Sequence, residues 1–120
     1  MTYAEIKKTL DMVDDPATKL EMVMDFGARL ENVPDGAKCS DILGCTSHVE
    51  ICSLNGKLYG RADSGIVRGI VAILLAMVDG KGVDEIKKMD LWSEFSSLKL
   101  QLGTGRVGGV NSIIRFLQNL

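Results

Sequence analysis

The residues able to do chemistry gather in one short stretch, Ile42-Leu43-Gly44-Cys45-Thr46-Ser47-His48-Val49-Glu50-Ile51. Cys45 follows a glycine on what reads as a turn between two extended segments. Gly44 lets the backbone bend sharply, and Thr46 and Ser47 keep the turn polar and flexible. A thiol presented there is a candidate nucleophile. The plain alternative is a cysteine packed as a small apolar side chain, the usual state of a free cysteine. A nearby cation, such as Arg106 or protonated His48, would favour the thiolate, and an apolar surrounding would raise its pKa; the sequence leaves both open.

Three further constellations carry less. His48 is the only histidine, and with Cys39, Cys45 and Cys52 it makes a candidate zinc or iron–sulfur ligand set. Their spacing is not that of a zinc finger, and a strand from Val49 carries Cys52 away from the turn, so Cys39 and Cys52 read as structural, His48 as solvated or hydrogen-bonded, and no bound metal is expected. The segment Gly103-Thr104-Gly105-Arg106-Val107-Gly108 matches G-x-G-x-x-G but lies in no βαβ unit and leaves no room for an acidic ribose ligand, which argues against nucleotide binding. Asp14, Asp15, Asp25 and Glu31 do not pair at a spacing suited to hydrolysis, and one histidine so close to Cys45 supports no serine triad.

These side chains need a scaffold, and 120 residues are enough to bury the core of one domain, here taken as residues 1–120. Fourteen Lys and Arg against sixteen Asp and Glu give a net charge of −2 with no basic run, which excludes the electrostatic footprint of a nucleic-acid binder. The longest apolar run, Ile66 to Val78, is too short and too interrupted by Arg68 and Gly69 to span a bilayer. Met1 to Leu10 reads as an amphipathic helix, not a secretory leader, so the expected location is cytoplasmic. Three cysteines, an odd number in an expected reducing compartment, predict no disulfide framework and at least one free thiol.

Thr2 and Glu5 fit a capping box before the helical spacing of Ile6, Leu10 and Val13, predicting a helix from about Tyr3 to Val13. Asp14-Asp15-Pro16 opens a second helix to near Leu30, with Leu20, Val23, Met24 and Gly27 as its inner stripe. A loop follows, then a weakly marked strand over Cys39 to Leu43. Val49 to Leu54 and Lys57 to Ala62 flank Asn55-Gly56, a strong hairpin signal that places Glu50 opposite Arg61 and Cys52 opposite Tyr59. Asp63 or Ser64 caps a helix that is apolar nearly all round and ends before Gly80; it is the expected core helix. Short helices over Val83 to Met89 and Leu91 to Leu98, a glycine-rich joint from Gly103 to Gly109, and a last helix bearing Val110, Ile113, Ile114 and Leu117 complete an α+β chain, a small antiparallel sheet packed against several helices.

Gly44-Cys45-x-Ser47-x-Val49 resembles the Gly-Cys-x-Ser-x-Val signature of the SufE/CsdE family of sulfur acceptors. Two more segments agree in order. Asp63-Ser64-Gly65-Ile66-Val67-Arg68-Gly69-Ile70 is similar to the family's aspartate, small residues and Ile-Val-Lys-Gly segment. Leu102-Gly103-Thr104-Gly105-Arg106-Val107-Gly108-Gly109-Val110 is similar to its Leu-Ser-Pro-Ser-Arg-x-x-Gly-Leu segment. The resemblance runs from about Asp15 to the C-terminus.

It implies a three-stranded antiparallel sheet on helices, shared with IscU-type scaffolds, and a persulfide on Cys45 taken from a cysteine desulfurase of the SufS/CsdA type and passed to iron–sulfur scaffold proteins. Such a protein is a carrier and desulfurase activator more than a stand-alone enzyme, needs no cofactor, and is compatible with a homodimer. Arg106 matches the family arginine and is expected near the cysteine loop or the partner surface, with Gly44, Ser47 and His48 supporting the loop. His48 and Glu50 depart from the glutamine and tryptophan common in the family, which bears on partner identity. The competing reading is an IscU-like iron–sulfur or zinc scaffold using Cys39, Cys45, Cys52 and His48.

Overall fold

A computed structural model describes residues 1–120. The chain runs α1 (Tyr3–Asp11), α2 (Pro16–Ala28), β1 (Lys38–Asp41), β2 (Val49–Leu54), β3 (Lys57–Ala62), α3 (Gly65–Val78), α4 (Val83–Lys88), α5 (Leu91–Ser96) and α6 (Thr104–Leu117). The strands form one antiparallel sheet in the order β1-β2-β3, so the α+β expectation holds.

Local signals set the helix starts. Thr2 and Glu5 close a complete capping box on α1, and Asp15 accepts from the Thr18 backbone N–H with Pro16 at the first position of α2. Each satisfies a donor that the first helical turn leaves without a partner. Ser64 takes the N-cap of α3.

The hairpin is the best-specified part. Asn55 and Gly56 both have positive φ, 52° and 80°, as a type I′ turn requires. That turn sets Glu50 opposite Arg61, Cys52 opposite Tyr59 and Leu54 opposite Lys57, the expected register. The Glu50 and Arg61 side chains meet at 3.6 Å.

The core is one cluster of 23 buried residues with α3 at its centre. Val49 and Ile51 of β2 face α3, because the missing Cβ of Gly60 on β3 points at Val71, Leu75 and the Ile51 side chain. By alternation Glu50 and Cys52 lie on the opposite, open face of the sheet. On its other side α3 meets α2 where two glycines cross: a Cβ on Gly69 would run into the Val23 carbonyl, and one on Gly27 would stand 2.5 Å from the Gly69 nitrogen. The backbones can approach this closely only because neither residue has a side chain.

Three expectations are revised. The inner stripe of α2 is Lys19, Val23, Phe26 and Gly27, while Leu20 is half-buried and Met24 exposed, because the Gly27 contact with α3 rotates the helix toward Phe26. Lys19 is buried and donates its Nζ to the Leu98 carbonyl at 3.0 Å. The expected joint at Gly103–Gly109 is mostly helix: α6 begins at Thr104 and carries Gly105, Gly108 and Gly109 in its first two turns. Third, Cys39 and Cys52 form a disulfide, against the expectation of no disulfide framework, while the expected free thiol is Cys45. They face each other across β1 and β2 with Cα atoms 4.0 Å apart. The ladder bond from the Ile42 N–H to the Val49 carbonyl makes 39/52 a non-hydrogen-bonded pair, where facing side chains come closest. No helix is long and apolar enough to cross a membrane.

Candidate functional site

Cys45 lies in the connection between β1 and β2, and it is the one free cysteine. Ile42 and Val49, both buried, fix the two ends of this loop in the core. Gly44 then reverses the chain with φ +92°, a region that disfavours side chains, and turns Cys45 inward while Leu43 stays 85% exposed.

The loop sits on α6, and its seat is a stripe of small residues. A Cβ on Gly105 would stand 3.6 Å from Thr46 Cγ2. One on Gly109 would stand 3.5 Å from Cys45 Sγ, and one on Gly44 would meet Ser112 Oγ at 2.5 Å. Gly105, Gly109 and Ser112 recur at helical i, i+4, i+7 spacing, so they share one face of α6 and line up under successive loop residues. The buried Ser112 hydroxyl donates to the Gly108 carbonyl at 3.1 Å and accepts from Arg115 Nη2 at 3.3 Å. It is therefore satisfied by its own helix.

Cys45 Sγ lies 3.8 Å from the Gly109 carbonyl, a weak thiol contact. Beside it is a cavity of about 10 Å³ lined by loop residues 45–47, Val67 and Ile70 of α3, and Gly105, Arg106, Val110 and Ile113 of α6. Its apolar walls would give a water few polar partners. Burial pushes the Cys45 thiol above its ordinary pKa, and no charged group acts against it. The contest left open in the sequence is thus decided for the apolar surrounding.

Neither candidate cation acts on the thiol. Arg106 lines the same cavity, as expected of a residue near the loop, but its guanidinium donates to the Leu102 carbonyl at 3.5 Å. The exposed His48 turns its Nε2 to Glu50 at 2.7 Å and to Asp41 at 3.7 Å. The hydrogen bond to Glu50 raises the His48 pKa, and the same bond lowers that of Glu50. The two positions that depart from the family pattern therefore form one hydrogen-bonded pair, with Arg61 beside Glu50 on the open sheet face.

The four-residue ligand set does not assemble. Cys39 and Cys52 are bonded to each other, His48 faces carboxylates, and Cys45 points into its cavity. The groups whose ligand atoms do converge, Cys39-Glu50-Cys52 and Asp41-His48-Glu50, leave Cys45 out. A larger groove of about 360 Å³ lies between α1, α2, β3 and α3, with Lys57 and Glu31 paired at its rim. It holds no cysteine or histidine.

Sequence reasoning missed the seat. Gly105, Gly109 and Ser112 carry the signal of small residues at helical spacing, but three glycines within five residues read as a break in helix because glycine is a poor helix former.

A model of the SufE Fe–S metabolism associated domain matches residues 4–120, and the chain belongs to that family. Sulfur acceptor protein CsdE of Escherichia coli (strain K12) is 29% identical over 122 residues, 94% of this chain and 83% of that protein. An uncharacterized SufE-like protein of Rhizobium meliloti (strain 1021) is 29% identical over 119 residues, covering 89% of this chain and 85% of its own length. The solution structure of a hypothetical protein from Thermus thermophilus superposes with a TM-score of 0.71 at 14% identity, covering 99% of this chain and 94% of that one, and so shares the fold.

Proposed function

We propose that this protein accepts sulfane sulfur on Cys45 from a cysteine desulfurase and passes it toward iron–sulfur cluster assembly. The observation that carries this reading is the one free thiol of a SufE-family chain, held at a glycine turn beside an apolar cavity with room for about one atom. The kinship with a sulfur acceptor supports the partner class.

The chemistry is thiol–persulfide exchange. The Cys45 thiolate attacks the terminal sulfur of the partner's cysteine persulfide; a new S–S bond forms on Cys45, the partner's S–S bond breaks, and the partner cysteine leaves as a thiolate. No outside electron is required. A partly buried thiol with a raised pKa is a poor nucleophile in the seated loop, so the attack belongs to a state in which the loop has left α6 and water or the partner has reached the sulfur. Once loaded, the loop can reseat with the extra sulfur toward the cavity, away from oxidants. Arg106, at the cavity wall, is assigned a supporting role toward the loop, with Gly44 shaping the turn and Ser47 and His48 flanking it.

Incubation with a cysteine desulfurase and cysteine, followed by mass spectrometry, should show one added sulfur on Cys45. A Cys45→Ser variant that still takes up sulfur and stimulates the desulfurase would refute the reading.

A further inference from the structure

We propose that the Cys39–Cys52 disulfide is a thiol-responsive latch on the Cys45 loop. The bond joins the two strands that this loop connects, at facing positions of β1 and β2, so Cys45 lies inside the covalent ring it closes. The ring is small, with 13 residues of sequence separation.

β1 depends on that bond more than any other strand does. It is an edge strand of four residues, all exposed along its length. The first core anchor after it is Ile42, at the very start of the loop. Apart from the ladder to β2, the cross-links are the disulfide and, one pair nearer the loop on the same face, the 3.7 Å contact of Asp41 with His48. Exposed ion pairs hold weakly, so the covalent link dominates.

The two half-cystines are unequally exposed: Cys39 is an exposed residue, whereas Cys52 is fully buried. A small thiolate would attack Cys39 Sγ, forming a mixed disulfide there and expelling Cys52 as a thiolate, which takes a proton from water. A second thiolate attacks the outer sulfur, releases Cys39 and leaves as a low-molecular-weight disulfide. Two thiols are oxidised and one disulfide is reduced; exchange with a low-molecular-weight disulfide runs the reaction backward. With the bond open, β1 frays from β2, one end of the loop loosens, and the thiol leaves its seat on Gly109 more often.

The biological meaning of the latch rests on Cys45 as the sulfur acceptor, but its test does not. The oxidised protein and the dithiothreitol-reduced protein, freed of reductant, are treated with iodoacetamide under native conditions, and the rate at Cys45 alone is followed by peptide mass spectrometry. The rate at Cys45 should rise about tenfold on reduction, the effect of a local opening made easier by about 1.4 kcal/mol. A Cys39→Ser, Cys52→Ala double variant should match the reduced protein; should that variant not fold, the reduced native chain alone decides.

Equal Cys45 rates in the two states overturn the latch. So do three titratable thiols in the oxidised, denatured protein, and loss of the folded circular dichroism spectrum on reduction, which would make the bond a staple of the fold. If Cys45 takes no sulfur from a desulfurase yet its alkylation still follows the disulfide, the carrier role fails and the latch stands.

Discussion

Small residues admit a neighbour both where α2 crosses α3 and where the Cys45 loop meets α6, and the two places differ in what a side chain would meet. Where α2 crosses α3, a Cβ on Gly69 or Gly27 would strike backbone: the Val23 carbonyl in one case, the Gly69 nitrogen and Arg68 carbonyl carbon in the other. Where the Cys45 loop rests on α6, the spaces over Gly105 and Gly109 are ordinary van der Waals distances, 3.5–3.9 Å, to a turn that is itself half exposed. The first contact interlocks two helices in the core and cannot be undone without unfolding. The second is a seat that a loop can leave. Interiors are close-packed and respond to a single added methylene, whereas a surface loop yields by moving.

The largest expected effect tests the interlock. Gly69→Ala must push α2 off α3 and should destabilise the fold by about 3 kcal/mol or more, read as a lowered urea midpoint or failure to fold. A loss below about 1 kcal/mol would mean that the crossing relaxes easily and that the contrast with α6 is false.

Gly44→Ala comes next, since its φ of +92° and the Ser112 hydroxyl both oppose a side chain. A cost of about 1–3 kcal/mol is expected, together with faster alkylation of Cys45, because the strained loop leaves its seat more often.

Gly109→Ala should be close to neutral in stability, or stabilising by up to about 1 kcal/mol through helix propensity, because its Cβ finds ordinary contact distances. A loss comparable to that of Gly69→Ala would make the seat as rigid as the crossing. The alkylation rate of Cys45 against pH sharpens the same point: burial raises the thiol's pKa, so the inflection in the oxidised protein should lie alkaline of the ordinary thiol value. An inflection below that value would mean that a cation reaches the sulfur after all.

The smallest effect belongs to the open sheet face. The His48 pKa is raised in the fold, so its contribution is complete below the ordinary value of 6.5 and is lost as pH climbs through the raised one. Glu50 is lowered, so its contribution is complete above 4.5 and is lost as pH falls through the lowered one. The pair is at full strength between those values, and Glu50→Gln should flatten a slight stability maximum there, seen in urea midpoints across pH.

Much of this was legible because the causes are local. Thr2 with Glu5, Asp15 with Pro16, and Asn55 with Gly56 fix helix starts and a hairpin register within a few residues, and the Glu50–Arg61 pairing follows from counting outward from the turn. What escaped needed partners distant in sequence. β1 has no turn signal tying it to β2, so the approach of Cys39 to Cys52 could not be counted, and odd cysteines in an expected reducing compartment argued the wrong way. The glycines of α6 read as a joint because their use, to admit the cysteine loop, is tertiary.

By itself, then, the sequence determined most of the elements, the hairpin register, the α+β class and the candidate nucleophile Cys45, since capping, turn chemistry and periodicity act over short spans of chain. The tertiary structure alone decided that Cys39 and Cys52 are joined, that His48 and Glu50 pair with each other and not with the thiol, and that Cys45 is turned into an apolar cavity. Those facts depend on which surfaces meet, and burial, more than any neighbouring charge, sets the state of the sulfur.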